Sequence, residues 1–150
     1  MVAPTTGKFQ HMVVEIETTP GSGVYSKICG LTSRGINRQS NMSTSEVPGD
    51  CDNEAAPSSV QRDVQSQEVT INGSGVWAAQ SHEMMLDYWY SGQPKNIRVQ
   101  HVNAAVGDTE YESGSAYLTQ LNNAVEKGQS ITAEVNFEFD GVPTRTAKVA

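Results

Sequence analysis

Three residues of the types found in catalytic triads stand side by side in this sequence: Ser81, His82 and Glu83. Neighbouring residues of a helix point about 100° apart, so their side chains do not face one another. A triad, in contrast, needs hydrogen bonds among its members. The run Gly73-Ser74-Gly75 lacks the spacing of a nucleophile elbow. The sequence therefore predicts a protein that is not an enzyme.

Candidate metal ligands are scattered. The histidines His11, His82 and His101 fall on different predicted elements, and a metal site needs three or four converging ligands. Two acidic clusters, residues 50–54 and 108–112, lack the ligand frame of a calcium loop. Ordinary histidines and solvated acidic loops are expected, with no cofactor.

The two cysteines, Cys29 and Cys51, do not have the C-x-x-C spacing of a zinc or redox site. Free thiols are the default interpretation. A disulfide between them, within one subunit or between subunits, is the alternative.

The charge balance excludes tight binding to nucleic acid. The chain has 10 basic and 17 acidic residues and a net charge of -7, so it repels phosphates. Such a surface suits DNA that slides past without sticking, but the same charge can simply maintain solubility. No signal peptide and no stretch long enough to span a membrane is expected. At 150 residues the chain fits one domain.

Alternating apolar and polar residues predict a mainly β protein. In residues 9–18 the alternation places Glu15 and Glu17 on the outer face. Residues 131–139 alternate most clearly, and Asp140-Gly141 after them predicts a hairpin turn. Residues 106–114 are predicted to be an acidic loop. The other predicted strands are 24–31, one that starts at residue 67, 96–102, 115–121 and 142–149.

Residues 78–91 are predicted to form a helix, with Ser81 as N-cap and Gly92 as the stop. Met85 with Trp89, and Leu86 with Tyr90, are four residues apart and are predicted to share an apolar face. The helix region holds more large aromatic side chains than one helix buries on one sheet. Some of them are therefore expected to contact a neighbouring subunit.

Residues 33–63 are polar and unperiodic, which predicts a long loop between strands. A structureless loop of this length is unusual in one domain, so a partner is expected to order it. The predicted fold is an antiparallel β-sandwich or barrel with one flanking α-helix.

The order of these parts resembles a known family. Gly30-Leu31 and Ile36 precede the polar segment, Val-Thr-Ile-Asn-Gly-Ser-Gly-Val-Trp follows it at residues 69–77, and a helix ends in Tyr90-Ser91-Gly92. This arrangement resembles the tail tube proteins of long-tailed phages, and in particular the major tail protein branch with the gene transfer agent tube proteins. Type VI secretion tubes share the architecture that the resemblance implies.

The resemblance implies hexameric rings that stack, with inner sheets joined into one closed barrel. Residues 33–63 would reach the adjacent ring, and residues 1–8 would form an arm on a neighbour. Met85, Leu86, Trp89 and Tyr90 would lie in the core or at an interface. Glu134 and Glu138 are candidates for the lumen, with the exterior as the alternative. The candidate ring-stacking residues are Asn37, Arg38, Asn41, Met42, Val47, Pro48, Cys51 and Arg62.

The implied partners are further copies of the chain, a tape measure protein, a tail terminator and baseplate or tail-tip proteins. DNA would pass through the lumen without specific binding. The implied location is the tail of a virion, after assembly in the host cytoplasm. The family branch favours a tail without a contractile sheath, although a sheath stays open.

Two other functions fit the same elements. One is a carbohydrate-binding β-sandwich, for which the aromatic residues near the helix would form the sugar-binding face. The other is a tail-terminator or secretion-tube protein of the same fold.

Overall fold

The computed structural model describes residues 2–19 and 21–150. A single 3₁₀ turn, Phe9–His11, precedes the first strand, and another, Ala79–Ser81, precedes the helix. The elements are β1 (Met12–Glu17), β2 (Tyr25–Lys27), β3 (Leu31–Val47), β4 (Ser59–Val76), α1 (His82–Ser91), β5 (Lys95–His101), β6 (Thr109–Ala124), β7 (Thr132–Phe139) and β8 (Thr144–Ala147).

The strands form one antiparallel sheet in the order β2-β1-β5-β6-β7-β4-β3. Strand β8 also pairs with β6, so β6 has β7 and β8 in succession along one side and β5 along the other. The strands alternate in direction along the whole sheet. One end of the molecule therefore holds the end of β3 and the start of β6, and the opposite end holds the start of β3 and the end of β6.

The core lies between one face of the sheet and α1. Its largest fully buried side chains come from four strands and the helix: Tyr88, Phe137, Ile16, Ile71, Met85, Ile97 and Val99. A side chain of β3 also contacts the 3₁₀ turn that precedes β1. Arg34 of β3 donates to the backbone oxygen of Phe9 at 2.8 Å and stacks on its ring. The predicted class, a mainly β antiparallel fold with one helix, is confirmed.

Strand β1 differs from its predicted pattern because both of its faces are covered. Glu15 and Glu17 are buried, so the prediction that they face outward is wrong. Glu15 pairs with Arg98 at 3.3 Å. Glu17 accepts hydrogen bonds from the backbone amides of Gly21 and Gly23. The Gly21 bond is the main influence on the pKa of Glu17 and, with the Gly23 and Asn96 bonds, lowers it against the opposing effect of burial.

The residues Pro20, Gly21 and Gly23 predict a turn after β1, and Pro20 lies outside the described residues. The two glycines that follow, Gly21 and Gly23, have φ angles of 80° and 72°, a region that favours glycine. Strand β2 then pairs with β1, as predicted.

The helix ends at Ser91, as predicted, but it begins at His82 instead of residue 78 and has a different buried face. Ser81 is the N-cap residue, and Gly92 ends the helix with φ 66°. Met85 and Tyr88 are fully buried, whereas Trp89 is 46% and Tyr90 is 78% exposed. Trp89 and Tyr90 therefore lie outside the core, because Tyr88 occupies it and donates a hydrogen bond to Ala116 O. A place for Trp89 and Tyr90 at an interface stays a prediction.

Two predictions near the C-terminus are also wrong. Residues 109–114 are not a loop but the first part of β6. Asp140-Gly141 does not reverse the chain, since β8 continues along the same side of β6 that β7 occupies. Strand β6 is long enough to pair with β7 and β8 one after the other. Gly141, with φ 88°, lies in the irregular segment between these two strands.

Residues 33–63 are not a structureless loop. They lie in a long hairpin made by β3, of 17 residues, and β4, of 18 residues, and only residues 48–58 lie between the strands. Interstrand hydrogen bonds satisfy the backbone in spite of the polar side chains. A bulge at Thr32 faces Gly75, where a side chain would come within 2.2 Å of Gly30 O.

Candidate assembly surfaces

The most prominent surface feature is the outer part of the β3–β4 hairpin, residues 39–68, which we name the hairpin arm. Strand β7 pairs with β4 only over residues 70–76, so the arm is a two-stranded ribbon with no further strand beside it. At about 3.3 Å per residue, residues 59–69 reach roughly 35 Å past the last pair with β7. No residue of the arm is buried.

The arm exposes apolar side chains that the subunit itself does not cover. Met42 and Val64 face each other across the ribbon and are 46% and 54% exposed. Val60, four residue pairs further along the ribbon, is 50% exposed. A two-stranded hairpin alone is marginally stable in water, so a contact that covers these side chains would stabilise the arm.

A charged cluster connects the base of the arm to the body. Arg38 of β3 donates through Nε to Glu112 Oε1 at 3.1 Å, and its Nη2 contacts the other carboxylate oxygen. The His101 Nε2 atom lies 2.7 Å from Glu112 Oε2. Glu112 is buried, whereas the side chain of Arg38 is half exposed. The bidentate pair therefore holds the direction in which the arm leaves the body.

The environment of Glu112 acts on its pKa in two opposite ways. Burial raises the pKa because it disfavours the charged carboxylate. Hydrogen bonds and charges from Arg38 and His101 together outweigh burial, and the pKa of Glu112 is lowered. The carboxylate is thus charged at neutral pH, when it can hold both partners.

This cluster was not found by sequence reasoning, which placed Glu112 in a solvated loop. The sequence feature that could have identified this strand is the occurrence of Thr109, Tyr111 and Ser113 at every second position, which is typical of a strand. The core-facing positions in this part of β6 carry charged and small residues instead of apolar ones, so the sequence lacks the alternation of apolar and polar residues that predicts a strand. His101 is half-buried.

The face of the sheet that points away from the core is polar over β6, β7, β4 and β3. We name this surface the polar face. None of its members is basic, and all of them except Tyr117, Asn122 and Glu138 line an open depression of about 590 Å³. The residues are Ser33, Asn37, Thr70, Asn72, Ser74, Tyr117, Gln120, Asn122, Glu134, Asn136 and Glu138.

Glu134 and Glu138 are the acidic residues of the polar face. Glu134 lies opposite Ser74, and Glu138 lies opposite Thr70. Both side chains are exposed, and the residues between them on β7, Val135 and Phe137, point into the core. The predicted alternation of β7 is confirmed from Ala133 onward.

The cysteines lie at opposite ends of β3. Both thiols are free and exposed. The 17 residues of β3 separate them by about 55 Å, far beyond the roughly 7 Å that a disulfide spans between Cα atoms. A disulfide between Cys29 and Cys51 of one subunit is thus excluded, and a bond between subunits stays a prediction.

The candidate ring-stacking residues occupy three places on the hairpin. Asn37 and Arg38 lie at its base, beside the body. Pro48 and Cys51 lie in the turn at its tip. The others lie along the ribbon of the arm: Asn41, Met42, Val47 and Arg62. The predicted N-terminal arm, residues 1–8, includes one residue outside the described part, and residues 2–8 are exposed without helix or strand.

In residues 2–19 and 21–150, no three side chains of His, Cys, Asp and Glu converge as a metal site requires. Ser81 is buried and His82 is exposed, and His82 accepts a hydrogen bond from the indole of Trp77 instead of contacting its two neighbours. Over the same residues, no helix combines the length and apolar character needed to cross a bilayer.

The model for the phage tail tube protein family matches residues 6–145. This chain belongs to the phage tail tube protein family. The resemblance inferred from the sequence is confirmed, and the family implies a structural role without catalysis. No curated protein matches the chain.

Several solved structures share the fold of this chain. The tail of an empty gene transfer agent particle, refined with C6 symmetry, has a TM-score of 0.74 at 19% identity and covers 95% of this tail tube protein and 100% of its own chain. A chain from the virion of a native gene transfer agent particle has a TM-score of 0.69 at 16% identity, with 95% and 100% covered.

The SPP1 tail tube has a TM-score of 0.68 at 8% identity and covers 95% of this tail tube protein and 80% of its own chain. At such identities the likeness shows the fold alone. The segment that the family model matches contains the helix and every strand except the last two residues of β8.

Proposed function

We propose that this tail tube protein polymerises into stacked hexameric rings that enclose a negatively charged channel for DNA. The observation that carries the proposal is the polar face, a surface of hydroxyl, amide and carboxylate groups without Lys, Arg or His. Cationic side chains bind phosphates and would slow a passing duplex. A wall with Glu134 and Glu138 as its charged groups would let DNA move through.

The edges of the sheet supply a way to close the ring. The outer edge of β3 has no neighbouring strand among the described residues. A second free edge of the sheet lies along residues 117–124 of β6, because β5 pairs with β6 only up to Ala116. These two edges bound the four strands that carry the polar face.

A rotation about the channel axis would bring the β3 edge of one copy beside the β6 edge of the next. Strands β3 and β6 run in opposite directions in the subunit, and the rotation preserves those directions. The new pair would therefore be antiparallel, like every pair within the sheet. Ring closure would satisfy backbone groups that otherwise invite uncontrolled pairing. We infer six copies by analogy with the C6 symmetry of the gene transfer agent tail.

The hairpin arm supplies the contact along the channel. It projects past the end of the body and exposes Met42, Val60 and Val64, so a neighbouring ring is its proposed support. Asn37 and Arg38 at the base, and Pro48 and Cys51 at the tip, belong to the same proposed contact. Head-to-tail stacking of this kind produces a filament rather than a closed particle.

The proposed location is the tail of a virion, with assembly in the host cytoplasm. The proposed partners are a tape measure protein inside the tube, a tail terminator at one end and baseplate or tail-tip proteins at the other. The proposal places no specific DNA site in the lumen.

Electron microscopy of the purified chain at rising concentration tests the proposal. Hollow tubes with six-fold rings are the expected result. Isolated rings that never stack would favour a tail-terminator role for the same fold. A monomer that stays monodisperse at every concentration and salt level would refute the tube and favour a binding module.

A further inference from the structure

We propose that the exposed face of α1 is the docking surface for the hairpin arm of a second copy of this chain in the next ring. This inference rests on the proposed tube and names the surface on which the arm would lie.

The topology places the arm and the helix at opposite ends of the subunit. Strand β4 runs from the tip of the arm, at Ser59, to Val76 at the far end of the body. The 3₁₀ turn before α1 starts at Ala79, and β5 leaves from that same far end at Lys95. Head-to-tail stacking brings the arm end of one copy to the helix end of the next.

The arm presents one face on which apolar side chains stand beside one basic and one acidic residue. Residues directly opposite each other in an antiparallel pair lie on one face, which puts Met42 with Val64, Thr44 with Arg62, and Glu46 with Val60. Val60, two residues from Arg62 on the same strand, shares that face. Arg62 is the only basic residue of the arm and is exposed. Among the described residues it forms neither an ion pair nor a side-chain hydrogen bond.

The outer face of α1 is the complement of that surface. Glu83, Leu86, Asp87 and Tyr90 are three or four residues apart and share the side of the helix opposite the buried Met85. Tyr90 is 78% exposed, and Glu83 and Asp87 are also exposed. Within the described part of the chain, neither carboxylate has a basic partner.

The charges and the exposed apolar side chains together favour a second copy of the arm as the occupant. Arg62 between two valines would meet two carboxylates that flank Leu86 and Tyr90. A guanidinium can also stack on an aromatic ring, and the Tyr90 ring is open to it. The contact would cover the apolar side chains of the arm and those of the helix at the same time. A like charge at either position would oppose the contact.

A charge-swap experiment tests the pairing. The variants are Arg62→Glu, Asp87→Lys and the double variant, and Gln61→Glu is the matched control because it adds a negative charge to the opposite face of the same strand. The protein concentration at which tubes form is measured by sedimentation, and circular dichroism melting confirms that each variant folds. We expect each single variant to raise that concentration by about tenfold or more. The double variant should return to within about threefold of the parent protein, and Gln61→Glu should stay at the parent value.

The outcomes separate this inference from the tube itself. If the parent protein forms tubes and both single variants form them equally well, the arm does not dock on α1, although the tube stands. Single variants that fail without rescue in the double variant also overturn the pairing. A parent protein that forms no tubes would overturn the proposed function, and the docking surface with it.

Discussion

Tyr88 and Trp89 show how neighbouring residues of one helix can have opposite roles. The Tyr88 ring is buried beside Phe137, with ring centroids 6.0 Å apart, and burial raises the pKa of its hydroxyl group. The Trp89 ring lies outside the core and packs edge-to-face on Tyr90. Large size alone therefore does not place an aromatic residue in the core of this protein.

We predict that Trp89→Ala lowers the free energy of unfolding of the isolated subunit by less than about 1 kcal/mol, since the side chain is half exposed. Met85→Ala, on the buried side of the same helix, should cost about 2–5 kcal/mol because it leaves a cavity. Urea denaturation of both variants checks the prediction. Equal losses for the two variants would contradict it.

The Glu112 carboxylate should make the stability of the subunit depend on pH. Its pKa is lower in the folded protein than the ordinary value of 4.5, so its stabilising effect is present above that value. The effect is lost as the pH falls through the lowered pKa, where the folded carboxyl group becomes protonated.

We predict that Glu112→Gln lowers the free energy of unfolding at pH 7 by about 1–3 kcal/mol, because Arg38 and His101 lose their charged acceptor. The difference from the parent protein should shrink at pH values below 4.5. Denaturation curves from pH 3 to pH 7 provide the measurement. Asp87→Asn removes an exposed carboxylate that has no basic partner among the described residues, and it should change the free energy of unfolding at pH 7 by less than about 0.5 kcal/mol.

At the scale of elements, the β3–β4 hairpin combines two different environments in one pair of strands. Near the body, Ile71 is buried and Ile36 packs against the core. In the arm, the interstrand pairing continues without any core. A bulge between Asn41 and Met42, close to this change, lets the ribbon twist as it leaves the sheet.

We predict that replacing residues 41–66 by an Asn-Gly turn leaves a folded subunit that does not polymerise. Ser40 and Gln67 are directly paired, so a two-residue turn can join them in register. Circular dichroism should retain the β signal, and sedimentation should show no tubes at concentrations at which the parent protein assembles. Unchanged assembly would show that the arm is not needed for stacking.

At the scale of the whole molecule, the polar face and the two free edges belong to the same four strands. Closing the edges of neighbouring copies would turn the polar faces inward together. The charge of the channel would then be set by Glu134 and Glu138, repeated in every copy.

We predict that the double variant Glu134→Lys/Glu138→Lys still forms tubes but retains DNA. Lysines along the channel would neutralise phosphates, so the binding should weaken steeply as salt rises. Co-sedimentation of tubes with short duplex DNA at several salt concentrations measures it. The variant Asp108→Lys/Glu126→Lys, with exposed changes outside the polar face, is the control. Equal retention by both variants would place the two glutamates on the exterior.

The sequence by itself determined the features that depend on local pattern. Alternation along β7 identified the buried side chains, and Gly92 marked the end of the helix, because both rest on the geometry of single elements. The order of parts around residues 69–92 was enough to indicate the tail tube family. The net negative charge already predicted that the chain does not bind DNA tightly.

Only the tertiary structure decided what depends on distant residues. Arg38 and Glu112 are 74 positions apart, and each was assigned to a polar loop until the folded sheet brought them together. Strand β8 pairs with β6 because the Asp140-Gly141 irregularity keeps the chain moving forward, which local turn propensity does not reveal. The two strands of the arm could not be predicted from apolar alternation, because their side chains are mostly polar. Hydrogen bonds between the strands, rather than apolar side chains, hold that ribbon together.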